Sequence, residues 1–298
     1  MSNTVLRVET ALGPMVLKQA LEKLNVDQDW FSDPARTLRE CRALQVAAPL
    51  LSSGSVPHIF FLDEDNYIYA MQAIAGEVRD WKQLLLAGEV DDRVAVAVGT
   101  ILGELIAASW QNAALREQFG DQRVFDELRL DPYYRTTALR HPDLAPFFER
   151  LILSCSGNAS SLVHGDWSPK NLLVADGKVM AIDFEVVHFG DAAFDTGFLL
   201  NHLLLKSFYM PALKKALQRT ALRFWAEVVS RYPGDKLHFE QATIAHCGGL
   251  MLARMDGKSP AEYIKGESLK DRIRAFARQL IHGVPATIEE LWHLRETA

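Results

Sequence analysis

One stretch, from Leu162 to Phe198, constrains this chain more than any other: LVHGDWSPKNLLVADGKVMAIDFEVVHFGDAAFDTGF. It reads as a short apolar strand (Leu162, Val163), a polar loop, and then a hairpin. Leu172-Leu173-Val174 and Val179-Met180-Ala181-Ile182 form the hairpin strands, with Ala175-Asp176-Gly177-Lys178 as the turn. Asp166 and Asn171 sit on the loop, and Asp183 follows the second hairpin strand. Two carboxylates and an amide oxygen placed where strands run out can converge on one point. Such an oxygen-rich set suits Mg²⁺.

The spacing His164-x-Asp166-x-x-x-x-Asn171 is that of a protein-kinase catalytic loop, and Asp183-Phe184-Glu185 stands where those enzymes carry D-F-G. Three fixed positions alone arise by chance in roughly 4% of chains this long. The hairpin, Asp183 and the trailing Gly190-Asp191-x-x-x-Asp195 make coincidence far less credible. With Gly165 after the histidine, the stretch resembles the aminoglycoside phosphotransferase and choline kinase family of small-molecule kinases.

That resemblance implies an α+β, bilobal, protein-kinase-like fold. A small antiparallel β-sheet N-lobe is expected over residues 1–74, and a mostly helical C-lobe over 75–298 with the catalytic loop at 162–198. It implies ATP and Mg²⁺ as cofactors and a small hydroxylated molecule as acceptor. Asp166 is then the catalytic base, and Asn171 and Asp183 hold the metal. His164 and Asp191 are expected to brace the loop, Asp195 to cap the next helix, and Glu185 to support the site. Lys170 either reaches the γ-phosphate or is solvated.

Composition adds exclusions. Among 298 residues, 49% are hydrophobic and 23% charged, as in ordinary globular proteins. A net charge of −6 leaves no basic footprint for nucleic acid. Cys41, Cys155 and Cys247 are odd in number and far apart, without a C-x-x-C pair, so neither zinc nor a disulfide framework is expected. No positively charged region followed by an apolar run opens the chain. The most apolar window, Val94 to Trp110, is interrupted by Glu104 and too short to span a bilayer. A cytoplasmic enzyme is the expectation.

Along the chain, Thr4–Glu9 and Met15–Gln19 read as strands joined by Leu12-Gly13-Pro14, the second carrying Lys18. A lysine there corresponds to the one that neutralises nucleotide phosphates, and it needs a carboxylate to hold it. A helix from Asp33 to Ala47 supplies one in Glu40, with Asp33 as N-cap, Pro34 at the first position, and Leu38, Cys41, Leu44 and Ala48 inward. Glu22 lies too near Lys18 in sequence for that role. The family's glycine-rich turn precedes the lysine strand, and Ser2-Asn3 is similar to its tail. The expectation is a start inside the true reading frame, or a natural truncation. Ile59–Leu62 and Tyr67–Met71 make a hairpin, and Met71 to Ile74 falls where a kinase hinge meets adenine, so Met71 and Ala73 are candidate nucleotide contacts.

Helical periodicity follows from Trp81, with a short helix ending at Gly88 and a long one over Asp91–Ala113. Phe125 to Arg135 is dense in aromatic and charged groups, and similar stretches occur in methylthioribose kinases. Arg129 there is read as paired to an acidic neighbour with tyrosines packed between helices, or else as part of a substrate wall. Further helices are expected at 142–154, 197–208, 211–230, 239–254, 269–282 and 287–293. His202 and His246 read as packing residues. Arg254 to Pro260 is a polar break that either touches substrate or is a turn in which Ser259 caps a helix starting at Pro260.

Glu185 in place of the D-F-G glycine, and the short span from Asp183 to Asp195 without A-P-E, argue against protein-kinase activity. Two readings of different class remain: an ATP-dependent phosphotransferase acting on an aminoglycoside-, amino-alcohol- or sugar-like hydroxyl, or a nucleotide-binding pseudokinase. Glu262 and Glu267 are the candidate acidic contacts for an aminoglycoside. Trp225, Tyr232 and Trp292 are the candidate cage for choline.

Overall fold

The strand that carries Lys18 is paired on both of its edges. In the computed structural model, which describes residues 3–11, 13–20, 35–283 and 285–298, β1 (Asn3–Thr10) and β2 (Gly13–Ala20) form a hairpin in register from Asn3↔Ala20 to Thr10↔Gly13. Gly13, at φ +104, makes the turn in a conformation that a side chain disfavours. The other edge of β2 pairs with β4 (Ile68–Gln72), and β4 with β3 (Ile59–Asp63), giving the antiparallel order β1-β2-β4-β3. In the β3–β4 turn the Asp63 carboxylate accepts from the Asn66 backbone and side-chain amides.

The helix α1 (Arg36–Ala47) packs on this sheet through Thr37, Glu40, Cys41, Leu44 and Ala47. Leu38 is half-buried and Ala48 exposed, so the inward stripe differs from the expected one at both ends. The expected cap Asp33 and Pro34 lie outside the described residues, as do Ser2 and Glu22.

The rest is mainly helical. A short strand β5 (Arg79–Asp80) leads into α2 (Trp81–Leu86), capped by the Asp80 carboxylate, and then α3 (Asp92–Ser109), capped by Asp91. The expected long helix ends at Ser109 because Asn112 starts a new one. Its side chain accepts from the Ala114 and Leu115 amides to cap α4 (Ala113–Phe119), while Gln111 turns at φ 49. A single turn α5 (Arg123–Phe125) runs into a π-helical segment over Asp126–Arg135, and α6 (Thr136–Arg140) follows. Pro132, which lacks an N–H, sits inside the wide turn, where the usual helical ladder could not be completed. After α7 (Ala145–Gly157) come β6 (Ser161–Val163), the hairpin β7 (Leu172–Ala175) and β8 (Lys178–Ala181), and β9 (His188–Gly190).

Asp176 and Gly177, both at positive φ, make the β7–β8 turn that a right-twisted two-residue hairpin requires. β6 pairs with β9, and β5 with β7, so the loop 164–171 is held between two small ladders. Five helices close the chain: α8 (Ala193–Tyr209), α9 (Lys214–Arg231), α10 (Lys236–Asp256), α11 (Glu267–Ile281) and α12 (Ile288–Thr297). From Ala193 to Phe208 every residue of α8 is buried, which makes it the central post of the helical core. Among the described residues no helix starts at Pro260, so Ser259 is not the cap expected there. No single described helix is long and apolar enough to cross a membrane.

Candidate active site

The loop that follows β6 is fixed by hydrogen bonds from three sides. The His164 and Gly165 N–H groups donate to the two carboxylate oxygens of Asp195, at 2.6 and 2.9 Å. Gly165 stands at φ +78, and a Cβ there would lie 2.9 Å from the Val186 carbonyl oxygen, which excludes any larger residue. The His164 ring accepts the Asp166 N–H on Nδ1 (3.1 Å) and donates from Nε2 to the Ile182 carbonyl (3.0 Å). Burial lowers its pKa to about 4, so the imidazole is a neutral brace.

Asp166 itself is 3% exposed. Its Oδ2 lies 2.9 Å from Arg129 Nη2 and 2.9 Å from Lys170 Nζ. Burial works to raise the pKa of this carboxyl, but Arg129 and Lys170 outweigh it, and the net direction is downward. Arg129 also donates from Nε to the Gly165 carbonyl at 2.7 Å, which ties the π-helical segment to the loop backbone. The acidic neighbour expected for Arg129 is therefore Asp166 itself. Tyr134 is packed among Phe148, Phe194 and His246, whereas Tyr133 reaches the cavity beside Asp166.

Register brings the two candidate metal-binding side chains alongside. Asn171 precedes the Leu172↔Ala181 pair, and its carbonyl accepts the Ile182 N–H at 3.0 Å, one residue before Asp183. The Asn171 Nδ2 donates to the Asp166 carbonyl (3.0 Å), so its Oδ1 is the end left for a cation. Asp183 adopts the left-handed conformation (φ 70, ψ 54), uncommon for a residue with a side chain and frequent where function holds strain. Its Oδ1 is 2.5 Å from Lys18 Nζ, which is 2.8 Å from Glu40. Burial would lower the Lys18 pKa, but Asp183 and Glu40 outweigh it and hold the ammonium charged; the Asp183 carboxyl is correspondingly held below its usual range. Glu185 pairs with buried Arg36 on α1 at 3.2 Å. Met71 lies inside β4, opposite Val16 and Ile59, while Ala73 follows the last residue of that strand.

Two expectations are exchanged. Asp195 is not a helix cap: it lies in the first turn of α8 and receives the His164 and Gly165 amides. Burial pushes its carboxyl up to about 7 against those two backbone donors. Asp191 instead accepts from the Ala193 N–H and Asn158 Nδ2, so it organises the start of α8. Asp166 opens onto a cavity of about 190 Å³, whose lining includes Lys82, Lys170, His202, Arg254, Glu262 and Tyr263. Of these, the sequence pattern pointed to Lys170, to Glu262 as a contact for an aminoglycoside and to Arg254 within the polar break, and it read His202 as packing. Lys82 and Tyr263 carried no signal, because they come from distant helices and loops.

Trp225 and Tyr232 stack on Phe239, and Trp292 is buried in the core, so none of the three lines this cavity. Glu267 is occupied with Lys270 and Arg274.

Comparison with known proteins places the family and the fold. The model of the phosphotransferase enzyme family, APH, matches residues 1–228. A methylthioribose kinase from Escherichia coli O45:K1 is 24% identical over 247 residues, covering 74% of this chain and 59% of that protein. The chain thus spans a little under three fifths of that relative's length. Among solved structures, an amicoumacin kinase in complex with AMP-PNP, Ca²⁺ and Ami superposes with a TM-score of 0.55 at 12% identity, over 98% of this chain and 89% of that one. A choline/ethanolamine kinase family protein from Mesorhizobium loti gives 0.51 at 14% identity, over 99% and 90%. These neighbours share the protein-kinase-like fold, a small antiparallel sheet on a mostly helical body. The chain belongs to the phosphotransferase enzyme family.

Proposed function

We propose that this protein is a small-molecule kinase that transfers the γ-phosphate of ATP to an alcohol hydroxyl. The observation that carries this reading is the continuous line Glu40–Lys18–Asp183, which joins α1, β2 and the end of β8 at the side of the loop that holds Asp166. In it residues 1–74 cover the nucleotide and residues 75–298 carry the acceptor. Ala73, just past the sheet, offers backbone groups to the base, with Met71 beneath it.

The donor set fits a hard divalent cation. Asp183 and the Asn171 Oδ1 are oxygen donors on adjacent backbone, and among the described residues no cluster of three His, Cys, Asp or Glu side chains stands in their place. Mg²⁺ takes one or two such protein ligands together with phosphate oxygens. When bound, it supplies charge neutralisation on the phosphates.

Lys18 is free to exchange its Asp183 contact for phosphate oxygens while Glu40 keeps it in place. Asp166 orients the acceptor hydroxyl and takes its proton as the new O–P bond forms and the bond to ADP breaks. Its low pKa is compatible with this role, because a loose phosphoryl-transfer transition state asks more of positioning than of base strength. Arg129 and Lys170 hold the carboxylate in one orientation, and Lys170 stands where it can follow the moving phosphoryl charge. Acceptor-dependent ADP release tests the reading: Asp166→Asn should lower kcat by about 10²–10⁴-fold while Mg²⁺-ATP binding persists. Equal turnover in the variant would refute it.

A further inference from the structure

The cavity in front of Asp166 is built for negative charge. Its lining holds Lys82, Lys170 and Arg254 against Asp166 and Glu262. Both carboxylates are already engaged, Asp166 by Arg129 and Lys170, and Glu262 by Lys82 and, at 3.9 Å, Arg254. Positive charge remains over. Lys206, one helical turn after the cavity residue His202, is wholly buried and its ammonium has no hydrogen-bond partner. It lies 5.4 Å from the ring centroid of Tyr263, another lining residue. The Arg254 Nε is likewise buried without a partner. An unpaired buried ammonium costs far more than it returns unless something completes it. Burial, then Lys82 and Arg254, lower the Lys206 pKa to about 7, as expected of a cation kept among cations.

We propose that the acceptor is an alcohol carrying an oxyanion, either a hydroxycarboxylate or a phosphorylated polyol, whose anionic group is held by Arg254 and Lys82, with the buried Lys206 adding positive charge behind the lining, while its hydroxyl faces Asp166. The identity of the hydroxyl's role rests on the kinase reading; the charge preference rests on the cavity. Glu262, with a side chain 61% exposed at the rim, occupies the anion's place by bridging Lys82 and Arg254. A polycationic acceptor would find both carboxylates taken, and a quaternary amine would find Tyr263 already facing Lys206. The cavity is also smaller than the ~300–1,000 Å³ typical of drug-sized ligands, which favours a compact acceptor.

The test is calorimetric titration of the full chain at low salt with D-glycerate and ribose 5-phosphate, their neutral counterparts glycerol and ribose, and choline. At least one anionic probe should bind tenfold or more tightly than its neutral counterpart, and which one identifies carboxylate or phosphate as the recognised group. Glu262→Gln, a rim change that leaves the fold intact, should tighten that probe several-fold, and Lys206→Met should weaken it at least tenfold. Anionic probes binding no better than neutral ones, choline binding best, or Glu262→Gln weakening the anion would each overturn the proposal. Thermal shift with Mg²⁺-ATP on the same samples separates the two readings. A nucleotide shift without oxyanion preference defeats this inference alone, whereas oxyanion binding without a nucleotide shift defeats the kinase reading alone.

Discussion

Arg129 Nη2 lies 2.9 Å from Oδ2 of Asp166, so the π-helical segment of the helical body grips the carboxylate that the proposed chemistry depends on. Arg129 is itself half-buried and bonded to the Gly165 and Leu128 carbonyls, which fixes its guanidinium in one plane.

Replacing Arg129 by Met removes the larger of the two charges that hold the Asp166 pKa down. Burial then dominates, and the carboxyl titrates at a higher pH. The expected result is kcat lowered by about 10–100-fold at neutral pH and an acid limb of the pH–rate profile displaced upward. Lys170 remains to keep the loop charged and folded. A profile that drops in amplitude without moving its acid limb would show that Arg129 acts on structure alone.

Asp195→Asn tests the brace under the loop. Both Asp195 oxygens accept a backbone N–H, and the acid form can keep both contacts by turning its single hydroxyl hydrogen away, whereas an amide accepts through one atom only and points a donor at the other N–H. A loss of about 1–3 kcal/mol is expected, with a fall in kcat. The pH dependence has a definite sign. The folded pKa of about 7 lies above the unfolded value near 4, so the contribution of Asp195 is full below about pH 4 and is lost as pH rises through about 7. The deficit of the variant should therefore be larger at pH 5 than at pH 8. Denaturant unfolding at the two pH values reads it directly.

Lys206→Met should raise stability by about 1–3 kcal/mol, since it exchanges a buried ammonium without a hydrogen-bond partner for an apolar chain of similar length. The groups facing Lys206 are Asp80 at the end of β5, Lys82 of α2, Arg254 of α10, Glu262 and Tyr263 of the following loop, and His202 on its own helix. At pH 8 much of the Lys206 population is neutral, because its pKa lies near 7. An oxyanion bound beside it pulls a proton in, so acceptor binding at that pH should be accompanied by proton uptake. Calorimetry in two buffers of different ionisation enthalpy measures the uptake, which should vanish in the variant. A variant both less stable and unchanged in uptake would contradict this role.

Much of this was legible in the chain because it is written locally. The loop and hairpin from Leu162 to Asp183 carry their own turn chemistry and fixed spacings, and short-range register brings Asn171 beside Asp183. The Lys18–Glu40 pair was also legible, since the strand and helix that carry them follow one another in order. What remained hidden depends on distance in sequence. Arg129 meets Asp166 across 37 positions, and Lys82 meets Glu262 across 180. No periodicity encodes such meetings. Asp191 and Asp195 were exchanged for a subtler reason: both flank the start of α8, and only the packing of that helix decides which carboxylate points at the loop. The break after Ser109 was missed because Asn112 caps a new helix within an apolar run that reads as continuous.

The central claim is that Lys18, Asn171 and Asp183 form a working nucleotide site, and thermal shift with Mg²⁺-ATP on the wild-type chain and on Asp183→Ala tests it most directly. In the variant Lys18 keeps Glu40, so the fold should persist and the comparison stays valid. The account predicts that Mg²⁺-ATP raises the wild-type Tm by a few degrees, that ATP without the metal does much less, and that Asp183→Ala abolishes the shift. No shift in the wild-type chain, or an equal shift in the variant, would contradict it.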